Sequence, residues 1–166
     1  MRNIRQLMFL VLALAALAAV GFATSKSQPQ FDKLKSLAGN WEGKASNGMQ
    51  VHVNYKVVSS GSAVLESILE KADMQMVTLY HLDGDHLMMT HYCSAGNQPR
   101  MRADSTSSPT AIKFTFVDVT NLSSPGAGRM QAHSIIWKDA DHVTQHWVWR
   151  EKGQDKEETF ELQRQK

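Results

Sequence analysis

The sequence predicts an all-β fold, a closed antiparallel up-and-down barrel of about ten strands preceded by one short helix. Three observations carry that expectation. Apolar and polar residues alternate through most of the chain after residue 39, as in Val51, Val53, Tyr55 and Val57 against His52, Asn54 and Lys56. The alternating segments are separated by short turn signals, Asn47-Gly48, Ser59-Ser60-Gly61-Ser62 and Asp83-Gly84, which favour hairpins over long crossovers. No segment carries interior prolines or other edge protection, as expected if closure leaves no edge to protect.

The chain begins with a segment that stands apart from this pattern. Arg2 and Arg5 precede an apolar run from Leu7 to Val20, and Gly21-Phe22-Ala23 supplies small residues for cleavage. That layout predicts a secretory signal peptide over residues 1–23, and the run is too short for a bilayer span of about 20 residues. The expected product is secreted and periplasmic, with no stable membrane insertion after cleavage. Loss of Arg2 and Arg5 leaves 16 basic against 16 acidic side chains, so no basic field exists to attract nucleic acid. Cys93 is the sole cysteine, hence a thiol or an intermolecular partner, and the core must hold the fold without internal disulfides.

Residues 24–30 read as a flexible leader, and residues 31–166 as one barrel domain. Phe31, Leu34 and Leu37 recur at helical spacing, with Lys33 and Lys35 facing away and Gly39 as the stop. Strands follow from Trp41, from Val51, over Val64–Glu70 and Met74–Leu82, and over Leu87–Cys93. A short sixth strand is expected at Arg100–Asp104 and a seventh through Ile112, Phe114 and Phe116. After a long Ser/Pro/Gly loop at 121–128 come three more strands, near Met130–Trp137, His142–Arg150 and Lys156–Arg164.

The densest polar chemistry is His91-Tyr92-Cys93-Ser94-Ala95-Gly96-Asn97-Gln98-Pro99-Arg100. His91 and Cys93 share one strand face, Gly96 and Pro99 suggest a fixed loop, and Arg100 is expected to turn toward His91 or the cavity mouth. Its acceptors are then the carbonyls of the 94–98 loop or a ligand carboxylate. His133 and His146 are candidates to face one another across the eighth and ninth strands and to hold a metal or haem iron. His81 to His86 has metal-ligand composition, which its Asp-Gly hairpin also explains. The methionines, Met89 among them, fit either a soft-metal site or, more simply, an apolar cavity. Glu66 and Glu70 share a strand face and are equally compatible with solvent or with pairing. No nucleophile elbow, His-Glu-x-x-His or phosphate loop is present, so catalysis of an isomerase or cyclase kind would rest on His91 as general base.

Gly39-Asn40-Trp41, at a helix exit and strand start, resembles the Gly-x-Trp of the calycins, which include lipocalins, fatty-acid-binding proteins and haem-binding nitrobindins. The strand count is more similar to the ten-stranded types. The stretch from His91 to Arg100 resembles that of a group of secreted bacterial calycin-like proteins. The resemblance implies that Trp41 closes one barrel end under a basic side chain, Arg164 or Arg150. It also implies an interior site for a small hydrophobic or amphipathic molecule. His91, Cys93, Asn97, Arg100, Trp41 and Met89 are the expected ligand contacts, with no cofactor specified.

Overall fold

The computed structural model describes residues 25–71, 74–105 and 107–166. The expected signal peptide lies outside the described residues. A helix, α1 (Gln28–Lys35), is followed by ten strands: β1 (Gly39–Ala45), β2 (Gln50–Val58), β3 (Ala63–Lys71), β4 (Met74–Asp83) and β5 (His86–Tyr92), then β6 (Gln98–Ala103), β7 (Ala111–Thr120), β8 (Arg129–Trp137), β9 (His142–Glu151) and β10 (Gln154–Arg164). Each strand pairs antiparallel with the one before it. β1 closes the barrel on β10 from Trp41↔Arg164 to Ala45↔Phe160.

The alternation in the sequence becomes an inside and an outside. In β2, Val51, Val53 and Tyr55 are buried while His52, Asn54 and Lys56 are exposed, as the two-residue period of a strand requires. The Asn47-Gly48 turn forms with Gly48 at φ 87°. Asn47 Oδ1 accepts the Met49 N–H there. Where β1 meets β10 the backbones are so close that a Cβ on Gly43 would lie 1.8 Å from the Glu161 carbonyl oxygen.

One end of the barrel is plugged. Phe31 and Leu34 of α1 and the following Leu37 are buried, and the helix packs on β2, β4 and β5. Trp41 is buried beneath it, its Nε1–H donating to the Leu37 carbonyl at 2.8 Å. The Arg164 guanidinium lies 4.3 Å from the Trp41 ring centroid and donates to the Ser36 and Ala38 carbonyls. Of the two basic candidates, Arg164 therefore covers Trp41, and Arg150 pairs with Asp155. Lys26 and Ser27 bind Asp85 in the β4–β5 turn, which ties the helix to the barrel.

Several boundaries differ from expectation. The helix begins within the expected leader, at Gln28, because Pro29 has the φ a first helical turn needs. It ends at Lys35 and is capped by Ser36, whose N–H bonds back to the Asp32 carbonyl. Gly39 is instead the first residue of β1, at φ 131°, where a Cβ would press on Arg164 Nη1 at 3.1 Å. β6 starts at Gln98, and a bulge between Arg100 and Met101 adjusts its register on β7.

Candidate functional site

The barrel interior is polar along two facing rows. Tyr55, Glu66, Thr78 and His91 are successive partners across β2, β3, β4 and β5, so their side chains share the inner face. Opposite them, Phe114, His133, Trp147 and Glu158 are successive partners across β7, β8, β9 and β10. Glu66, Thr78, His91, His133 and Gln145 are all buried. Buried polar groups must find partners, because each unmade bond costs about 1–3 kcal/mol.

They find them in one network across the lumen. Trp147 Nε1–H donates to Gln145 Oε1 at 2.9 Å. An indole is only a donor, so this bond fixes the amide with Nε2 toward Tyr55 and Glu66. Gln145 Nε2 donates to both the Tyr55 hydroxyl and Glu66 Oε1. Tyr80 Oη donates to Glu66 Oε2 at 2.7 Å and lies 3.4 Å from His133 Nε2. His133 Nδ1 is 3.3 Å from the His146 carbonyl, to which it donates. Its ring stacks on Trp147 at 3.7 Å between centroids.

The setting controls charge. Burial pushes the Glu66 carboxyl up, while hydrogen bonds from Tyr80, Tyr55, Gln145 and Thr78 pull it back. Burial and the neighbouring Glu66 raise the Tyr55 and Tyr80 hydroxyls well above their usual range. Burial holds His91 down at about 4. It pushes His133 well below the usual imidazole range, with His91 adding to the effect. Both imidazoles are therefore neutral near neutral pH.

His91 occupies the end of this network nearest the open mouth. Its Nδ1 is 2.9 Å from Thr78 Oγ1, and its ring is 4.9 Å from Trp147. Its Nε2 is buried and has no hydrogen-bond partner among the described residues. Above it opens a cavity of about 400 Å³ at the barrel end opposite α1, lined by Met76, Cys93, Ser94, Met130, Trp147, Trp149, Lys156, Glu157 and Glu158. Below, the space narrows to about 10 Å³ between Ile68, Met76, His91, Met130, Trp147, Glu158 and Phe160. The walls combine Met76, Met130, Trp147 and Trp149 with the charged Lys156, Glu157 and Glu158, and the narrow floor carries His91 and Glu158.

The expected site residues divide between this cavity and other places. His91 is at its floor and Cys93 at its rim. Asn97 is buried and structural: its Nδ2 donates to the Gly128 carbonyl, tying the 93–97 loop to the start of β8. Met89 is fully buried opposite Met101, in the core. Trp41 closes the far end and touches none of the cavity. Arg100 corrects the expectation most sharply. It pairs with Thr90, not His91, faces outward and binds Asp118 of β7. Strand alternation is the reason: Pro99 and Met101 take the inner face, so Arg100 must take the outer one.

His133 and His146 do not face one another. The register sets His133 opposite Trp147 and His146 opposite Ser134, and a one-residue difference puts a side chain on the other face. His133 is inside; His146 is on the outer surface beside Glu157. His81 bonds the Leu82 carbonyl and Asp85 serves the helix. Among the described residues, no group of three or more His, Cys, Asp and Glu side chains is placed to hold a metal ion.

Sequence reasoning missed Tyr55, Thr78, Tyr80, Gln145 and the cavity wall Met130, and it left Glu66 undecided; Met76 stood among the methionines suited to an apolar cavity, and Trp147 was expected as a core or rim aromatic. A signal was present: Glu66 lies in phase with the buried Val64 and Ile68, and Gln145 with Val143 and Trp147. A polar residue in phase with an apolar face marks a polar interior. No protein-family model matches the chain, and no curated protein matches it in sequence.

Proposed function

We propose that this chain is a secreted, periplasmic barrel of the calycin type that binds a small, mainly apolar molecule in its open mouth. The observation that carries the reading is His91 Nε2, buried and without a hydrogen-bond partner among the described residues, in the narrow space beneath a cavity walled in part by Met76, Met130 and Trp147. A volume near 400 Å³ is in the range of small-molecule sites, which combine apolar walls with few polar groups. The secretory part of the reading is supported by the charge and apolar pattern of residues 1–23. The calycin part is supported by Gly39, Trp41 and Arg164 at the plugged end.

Native mass spectrometry of the protein purified from a bacterial periplasm tests this reading, with tryptophan fluorescence during titration of an apolar probe. A co-purified organic molecule and a fluorescence change that vanishes in Trp147→Phe are expected. Absence of both, with the fold intact, removes the reading.

A second reading follows from the same atom. A neutral imidazole with an unengaged Nε2 is also a ligand for haem iron. Supplying haem and recording the visible spectrum separates the two: a Soret shift lost in His91→Ala supports haem, and an unshifted spectrum excludes it.

A further inference from the structure

We propose that the narrow floor of the mouth is a site for one soft monovalent metal ion, copper(I), held by His91 Nε2 and the thioethers of Met76 and Met130. The site goes beyond the apolar-ligand reading and does not depend on it. The ion occupies the floor, and an organic molecule would occupy the wider cavity above.

Three strands bring the donors to one point. Thr78 pairs with His91 across β4 and β5, and Met76 lies two residues before Thr78 on the same inner face. Met130 comes from β8, where it pairs with Trp149 of β9. All three side chains line the space of about 10 Å³, together with Trp147 and Glu158. That volume is near the minimum for one water-sized occupant. His91 Nε2 is buried there without a hydrogen-bond partner among the described residues. A water in this place would face two thioether sulfurs, which accept only weakly. A soft ion would be bound by them, and the flexible methionine stems let the sulfurs close on it.

The donor set selects the ion. Thioethers are ligands for copper(I), whereas copper(II) prefers a tetragonal set of nitrogens and oxygens. Calcium and magnesium need several oxygens, and Glu158 supplies the only side-chain oxygens lining this floor among the described residues. Zinc takes thiolate, imidazole and carboxylate, and among the described residues no three of these are placed together. Charge agrees with valence. Glu158 accepts from Asn47 Nδ2 and is paired with no cation among the described residues, so one positive charge at the floor offsets it.

The imidazole is held for this role from behind. A metal on Nε2 requires the ring hydrogen on Nδ1, and Thr78 Oγ1 stands 2.9 Å from Nδ1 as its acceptor. Such an outer partner orients a ligating histidine. The contact accommodates either tautomer, and coordination selects this one.

Silver(I), which shares the charge and softness of copper(I) and is stable in air, is the probe. Native mass spectrometry of the Cys93→Ser protein, which lacks the thiol at the rim, should show one Ag(I) retained per chain and no Zn(II) at equal concentration. Met76→Leu, Met130→Leu and His91→Phe, each added to Cys93→Ser, should lose the ion. Carbon NMR of methyl-labelled methionine in the wild-type protein reads the ligands without a mutation in the site. The Met76 and Met130 methyl signals should move with Ag(I), and those of Met89 and Met101 should stay. Ag(I) binding that disappears with the thiol, or methyl shifts at other methionines in place of these two, overturns the site. Where Cys93→Ser does not fold, the wild-type methyl spectrum decides alone. Loss of the metal site leaves the apolar-ligand reading standing, because that reading is measured by the co-purified organic molecule.

Discussion

His91 shows how far one side chain's surroundings reach into the behaviour of the fold. Its folded pKa of about 4 lies below the unfolded value of 6.5, so below pH 6.5 the unfolded chain binds more protons than the folded one. Stability is then fully present above pH 6.5 and falls as pH drops toward 4, by up to roughly 3 kcal/mol. His133, displaced in the same direction by burial, steepens the acid limb. Glu66 is displaced upward, and its contribution runs oppositely, weakening as pH rises through its folded pKa. Chemical denaturation of wild type and His91→Phe across pH 4–7 should show a shallower acid limb in the variant. Parallel limbs would mean that His91 is not the neutral, buried group described above. At the same scale, Trp41→Ala should lower stability by about 3–5 kcal/mol, since it removes a buried indole, its bond to Leu37 and the platform beneath Arg164. An unchanged Tm would refute the plug.

Elements set which of these side chains meet. β1 and β10 close the barrel at a contact that leaves no room for a Cβ on Gly43, where the obstacle is backbone rather than a mobile side chain. Gly43→Ala should therefore push β1 off β10, lower Tm and speed amide exchange in β10 more than in β4. Equal protection in both strands would show that the seam is not strained. β6 and β7 provide the contrast. Arg100 joins them through Asp118 on the outer surface, with about half of each side chain exposed, where ion pairs contribute little. Arg100→Ala should leave both Tm and ligand affinity unchanged. A drop in affinity alone would return Arg100 to the binding site.

The whole barrel has a closed end and an open one, and its tryptophans report on both. Trp41 lies under α1, whereas Trp147 and Trp149 line the mouth. A small neutral quencher should reach fluorescence belonging to Trp147 and Trp149 and leave that of Trp41 untouched. Quenching that persists unaltered in a Trp147→Phe, Trp149→Phe protein would place the opening elsewhere. Every strand pairing but one joins strands consecutive in sequence, and the exception is the β1–β10 seam. Closure therefore depends on that one long-range pairing.

The amino-acid sequence by itself determined the strand alternation, the turns, the short helix before the strands and hence the antiparallel barrel. These depend on local period and turn chemistry, which neighbouring residues carry. Val51, Val53 and Tyr55, or Asn47-Gly48, need no distant partner to be read. The tertiary structure alone decided the site. Which of His133 and His146 enters the lumen turned on a register difference of one residue, and Arg100 was sent outward by its neighbours Pro99 and Met101. Glu66, Tyr80, Gln145 and His133 are far apart in the chain and become one network only when closure brings their strands across the lumen from one another. Periodicity tells which residues share a strand face. Closure decides which of those faces meet.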